Sequence, residues 1–202
     1  MEGTAVKTWR IAVLTSGHGR GSNLRAMHNW FRDHKAPLEI SFATVARPSA
    51  PVAELCRELG ISCKVLNPKQ KERFESELLS LCASYKIHLI ALAGFMSLLS
   101  AEFLDQAGIP VLNIHPALLP EFGGKGMYGM KVHEAVFASG SKVSGASVHL
   151  VDPLYDHGVI VSQSAVDISD CQSPEEIAAR VLTIEHKLYA PAILGFLDGI
   201  RS

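Results

Sequence analysis

The chain has 202 residues, 48% of them hydrophobic, and a net charge of -1 from 19 Lys and Arg against 20 Asp and Glu. That length suits one domain with a sizeable core, and the near-neutral balance excludes a long electrostatic track for nucleic acid. Cys56, Cys63, Cys82 and Cys171 lack CxxC spacing, the first ten residues hold no apolar signal core, and no run approaches the ~18 apolar residues of a spanning helix. These features predict a cytoplasmic protein with reduced thiols and no membrane partner.

The first half alternates between two periodicities. WRIAVLT (9–15) reads as a short strand, and SNLRAMHNWFRDH (22–34) spaces its apolar residues as an amphipathic helix does. LEISFATVA (38–46) is a second strand, followed by a helix that opens on Pro51 and stops at Gly60. ISCKVLN (61–67) is the third strand, QKERFESELLSLCASYK (70–86) a helix, and IHLIALAG (87–94) a fourth strand, apolar enough to be covered on both faces. A short helix (100–108) leads into the strand IPVLNIH (109–115). Such alternation predicts right-handed crossovers and a parallel sheet with helices on both sides.

After residue 140 the pattern changes. SGASVHLVD (144–152) and GVIVSQSAVDIS (158–169) are two strands joined by PLYDH, a hairpin-like pair added to the sheet. The last helix (173–197) opens with Ser173 as N-cap, then Pro174 and two glutamates at its positive end. No repeat, low-complexity tract or linker interrupts the chain. The expected architecture is a single domain, 1–202: α/β, a Rossmann-like open, mostly parallel sheet with helices on both faces and an added antiparallel C-terminal strand pair.

The loop TSGHGRGSN (15–23) lies between the first strand and the first helix, where a doubly wound sheet places a phosphate. Its spacing is not GxGxxG, since Ser22 stands where the third glycine belongs, and Arg47 replaces the acid that would bind a ribose after the second strand. A dinucleotide is therefore disfavoured, and a P-loop's GK[ST] is missing. What remains is a small phosphate held by Gly21, Ser22 and Asn23. The alternative is an ordinary glycine turn with Ser22 as N-cap.

In IPVLNIHP the side chains alternate, so Asn113 and His115 share one face at the carboxyl end of their strand, the edge where open α/β sheets bind ligands. The plain alternative is a turn-capping asparagine beside a buried histidine. Histidine shuttles protons near neutrality, an amide N–H can donate to a developing oxyanion, and Asp156 in PLYDH could hold an imidazolium. His133 falls on an amphipathic helix, and His149 alternates with Val148 in a strand. With no HxH or HxxxH grouping among the histidines, no metal is expected.

The set GSNL, ALAGFM, NIHPALLP, SGASVHLVD and YDHGVIVSQ, in that order over almost the whole chain, resembles the phosphoribosylglycinamide formyltransferase family. The resemblance implies formyl transfer from 10-formyltetrahydrofolate to 5-phosphoribosylglycinamide in purine synthesis. It also implies catalytic roles for Asn113, His115 and Asp156, and a phosphate site at Gly21, Ser22 and Asn23. Glu185 would meet the ribose and glycinamide, and Lys71, Met96, Ser97, Leu98, Leu99 and Asn113 the folate. Asn113 and a protonated His115 would stabilise the oxyanion, with Asp156 raising the histidine's pKa.

Three departures stand out. The glycine loop is lengthened to HGRG, with Arg20 adding charge. Ser97 and Lys71 stand where the family often has arginines, and lysine lacks the planar fork that holds a carboxylate bidentately. The segment PEFGGKGMYGMKVHEAV differs from the usual connection; its glycines suit either a close approach to ligand or a flexible turn. Competing readings are a formyl transferase for an amino sugar nucleotide or an initiator tRNA, the latter expected to carry a further C-terminal domain, and a silent folate- or nucleotide-binding module. Small-molecule substrates and a monomer or homodimer are expected.

Overall fold

A computed structural model describes residues 8–16 and 19–200. Among these, seven strands form one sheet: β1 (Trp9–Leu14), β2 (Leu38–Val45), β3 (Cys63–Val65), β4 (Leu89–Leu92), β5 (Val111–His115), β6 (Val143–Leu150) and β7 (Ile160–Asp167). Their order is β3-β2-β1-β4-β5-β6-β7. The first five are parallel; β6 runs antiparallel to β5, and β7 antiparallel to β6. This is the expected sheet with its added antiparallel pair. Strand order reverses between β1 and β4, which opens a crevice at the carboxyl edge.

Six helices cover the sheet: α1 (Ser22–Asp33), α2 (Pro51–Leu59), α3 (Lys71–Tyr85), α4 (Ala101–Ala107), α5 (Met130–Ser139) and α6 (Pro174–Gly199). Alternation within β1 assigns them to two layers. Ile11 and Val13 pack with the apolar faces of α1, α2, α5 and α6, while Ala12 and Leu14 pack with Phe74, Leu78 and Phe103 of α3 and α4. The same logic splits β5: Leu112 and Ile114 enter the first layer and Val111 the second. Asn113 and His115 therefore face the α3–α4 side, beyond the end of that layer's apolar packing.

Local boundaries follow from specific hydrogen bonds. α2 ends on Gly60 at φ 69°, and the Ile61 amide turns back to the Cys56 carbonyl. Ile61 thus belongs to a helix cap, and β3 is three residues where seven were expected. Helix α1 is capped by Gly21 at φ 76°, with no side-chain cap. Ser22 is consequently the first helical residue rather than the N-cap. Ser173 does cap α6, accepting from the Glu176 amide at 3.3 Å. That helix continues through Pro191 and carries Tyr189, whose buried hydroxyl lies 3.0 Å from the Leu92 carbonyl and 2.8 Å from that of Leu112. α6 is thereby pinned across β4 and β5 beside the crevice. No helix among the described residues is long and apolar enough to cross a membrane.

Candidate active site

The antiparallel register of β5 and β6 sets Asn113 opposite His149 and His115 opposite Ser147. Because both strands alternate, four polar side chains lie on one face at the carboxyl end of β5. Each has a defined partner. The Asn113 amide nitrogen lies 3.0 Å from His149 Nε2, and His149 Nδ1 lies 2.8 Å from the Leu150 carbonyl. A carbonyl only accepts, so Nδ1 carries the proton and Nε2 accepts from Asn113. Asn113 keeps a second N–H for a ligand.

His115, 3% exposed, places Nε2 2.9 Å from the Phe122 carbonyl. The same reasoning puts its proton on Nε2 and leaves Nδ1 as the basic nitrogen, 3.5 Å from Asp156 Oδ1. Asp156 sits in the 151–159 loop at φ 53° and accepts from the Gly124 amide at 3.0 Å. Burial lowers the His115 pKa from 6.5; Asp156 and the Phe122 carbonyl oppose the shift, His149 reinforces it, and burial wins. Burial therefore favours the neutral imidazole at rest, and the protonated form implied by the resemblance belongs to the oxyanion stage. Asp156 does raise the histidine's pKa, but by less than burial lowers it. For Asp156 itself burial raises the pKa, and the adjoining His149 and His115 together with the Gly124 amide outweigh it. Its carboxylate is ionised, waiting for a cation on His115.

Ser147 fixes the segment that follows β5. Its hydroxyl donates to the Ala117 carbonyl and accepts from the Leu119 amide and Gln163 Nε2, at 2.6, 3.0 and 2.8 Å. Gln163 also donates to the Leu119 carbonyl at 2.9 Å, and the Leu119–Pro120 peptide is cis. Together these contacts hold the turn that brings the Phe122 carbonyl to His115.

All of this faces one cavity of about 550 Å³. Asn113, His115, His149 and Asp156 form its centre, and Met96, Ser97, Leu98 and Leu99 one wall. Asn23 and Glu185 lie on another side, joined by a hydrogen bond of 2.6 Å from the Asn23 amide to Glu185 Oε2. Burial raises the Glu185 pKa, with the Asn23 bond opposing. The segment 124–129 and His133 also line the cavity, so the glycine-rich loop approaches the ligand space. Lys71, exposed at the start of α3, does not line it, and neither do Gly21 and Ser22, although Asn23 beside them does.

At the α1 terminus the first helical bond runs from the Arg25 amide to the Gly21 carbonyl, at 2.9 Å, so the amides of residues 22–24 precede it. Gly17 and His18 of that loop lie outside the described residues. Of the residues around Asn113, the sequence singled out His149 only as a strand residue that could approach the site, and it missed Ser147 and Gln163. The signal that could have found them was the alternation of Ser147 and His149 on one strand face, and their pairing with β5 needed the register. Among the described residues no three His, Cys, Asp or Glu side chains group as metal ligands.

The open sheet thus has its crevice at a topological switch point, where a buried histidine backed by a carboxylate stands beside an amide donor. The chain belongs to the formyl transferase family, whose profile matches residues 9–193. Within it, the chain is similar to phosphoribosylglycinamide formyltransferases. The chloroplastic one of Arabidopsis thaliana is 39% identical over 188 residues, 91% of this chain but 64% of that relative's length. The Bacillus subtilis one is 32% identical over 196 residues, 96% of each. The crystal structure of the Brucella melitensis phosphoribosylglycinamide formyltransferase superposes with a TM-score of 0.84 at 35% identity, covering 94% of this chain and 96% of that one.

Proposed function

We propose that this chain moves the formyl group of 10-formyltetrahydrofolate to the amine of 5-phosphoribosylglycinamide, giving formylglycinamide ribonucleotide for purine synthesis. The observation that carries the proposal is His115 Nδ1 3.5 Å from Asp156 Oδ1, with His115, Asp156 and Asn113 all lining one cavity. The cavity volume falls within the roughly 300–1,000 Å³ of small-molecule sites. Its apolar wall at Met96, Leu98 and Leu99 suits a flat pteridine, with Ser97 and Lys71 nearer the folate's acidic tail. Gly21, Ser22 and Asn23 would hold the 5-phosphate at the α1 terminus, and Glu185 the ribose and glycinamide.

In this reading the amine attacks the formyl carbon, a C–N bond forms, and negative charge develops on the formyl oxygen. Asn113 donates its free N–H to that oxygen. His115 Nδ1 takes the proton the amine must lose, and the new imidazolium pairs with Asp156. As the bond to N10 of the folate breaks, that nitrogen receives a proton and the imidazole returns to neutral. The charge balances at each stage because Asp156 is already ionised. The protein would act as a monomer or a homodimer. The cytoplasm, where thiols stay reduced, suits the four free cysteines.

Purified protein should form formylglycinamide ribonucleotide from the two substrates and leave amino sugar nucleotides and charged tRNA untouched. Formylation of either of those instead would overturn the substrate assignment. Ser22→Asp, which sets a negative charge against the phosphate, should raise KM for glycinamide ribotide far more than for the folate. An equal rise for both would move the phosphate site elsewhere.

A further inference from the structure

One polar group in the cavity wall has no use in the chemistry above. His133 lies in the first turns of α5, between the buried Val132 and the buried Val136, and is itself 6% exposed. Its Nδ1 is sealed from solvent without a hydrogen-bond partner, yet the ring forms part of the cavity surface. A core histidine normally satisfies at least one nitrogen, because stranding a buried polar atom costs ~1–3 kcal/mol. Burial and the nearby His115 both lower the pKa of this ring, so it stays neutral while the site works. A neutral imidazole has one N–H. Placing it on the sealed Nδ1 would orphan a donor, whereas a lone pair there is the smaller penalty. The proton therefore belongs on Nε2, the ring's other polar atom and the one left to face the cavity.

We infer that His133 is a ligand-positioning residue that donates a hydrogen bond from Nε2 to an oxygen of the amine substrate. The inference rests on the function proposed above. Location selects the substrate: α5 shares its apolar layer with α6, which carries Glu185, whereas the Met96–Leu99 wall adjoins the α3–α4 layer. His133 and His115 line the same cavity, and His115 is close enough to lower the His133 pKa, so in this reading His133 sits near the reacting amine. In glycinamide ribotide the acceptor nearest that amine is the amide carbonyl, separated from it by a single methylene. The bond would fix the rotation of the glycyl unit and aim the amine at the formyl carbon. His133 is thus a specificity element for amines that carry a neighbouring carbonyl, and it takes no part in proton transfer.

Kinetics and melting of His133→Leu and His133→Gln test this. Loss of one neutral hydrogen bond should raise KM for glycinamide ribotide roughly 3- to 10-fold in His133→Leu, leave KM for 10-formyltetrahydrofolate within two-fold, and leave Tm of the free protein at or above wild type. His133→Gln, which restores an N–H donor, should recover most of the loss. An analogue of the amine substrate with a methylene in place of the carbonyl should bind wild type and His133→Leu equally. A lower Tm with both KM values unchanged, or both raised alike, overturns the inference and leaves His133 a packing residue. Wild-type protein inactive on glycinamide ribotide would instead sink the proposed function itself.

Discussion

At the scale of single residues, the site works because each polar atom has a different obligation. Asn113 commits one N–H to His149 and keeps one. Asn113→Ala should lower kcat by roughly 10²–10³-fold, the cost of one oxyanion donor, with KM for the folate little changed; single-turnover kinetics measure it. Asp156 has a different job, and its φ of 53° makes asparagine the natural probe, since that residue tolerates the left-handed region and can still accept from Gly124. The carboxylate raises the His115 pKa against burial. Removing its charge should therefore move the acid limb of kcat/KM to lower pH and reduce the maximum, while Tm stays near wild type. A fixed midpoint with normal turnover would make Asp156 a turn residue only.

Elements set these residues in place. The α6 helix does so from a distance through the Tyr189 hydroxyl, which meets the carbonyls of Leu92, at the end of β4 beside the cavity, and of Leu112 within β5. Burial pushes the phenol's pKa far above its usual value, so it remains a donor at any working pH. Tyr189→Phe should cost about 1–3 kcal/mol because it strands buried carbonyl oxygens, read as a lower urea midpoint at unchanged m-value. The β6–β7 pair acts more directly. Gly145 lets the strands close, since a Cβ there would run into the Ser164 carbonyl and Leu118, and Gly158 has no room for one against the Leu150 carbonyl. The second contact folds the 151–159 loop back so that Asp156 reaches His115. A strand break or a shift of one residue would carry Ser147 and His149 to the opposite face.

For the whole molecule, burying neutral histidines ties stability to pH. The pKa values of His28, His115, His133 and His186 are lowered below 6.5 mainly by burial. The unfolded chain binds protons at these positions near pH 6.5 and the native protein only at lower pH, so stability falls as pH drops from about 6.5. Asp156, also lowered, acts further down: its contribution is present above the unfolded value of 3.8 and disappears as pH falls through the native one. Glu185, raised by burial, has the opposite sign, with stability lost as pH rises through its native pKa. Four histidines against one glutamate predict a net decline in Tm from pH 7 to pH 5. Replacing His133 by Leu should flatten that decline, and a parallel curve would assign it to other groups.

The order of strands and helices was legible in the sequence because periodicity is local: β5 showed its polar face through Asn113 and His115, and α6 its start through Ser173 and Pro174. The resemblance of NIHP and YDHG to one family pointed to candidate reacting residues for the same reason, since short motifs survive without knowledge of their surroundings. What each of those residues bonds to was not local. His149 reaches Asn113 only through the antiparallel register of β6, Asn23 meets Glu185 across the packing of α1 on α6, and Gly21 rather than Ser22 caps α1. Protonation was hidden for a related reason. The family resemblance implied a protonated His115 at the oxyanion stage, but desolvation depends on everything packed around the ring, and it is the folded interior that lowers the imidazole's pKa despite Asp156.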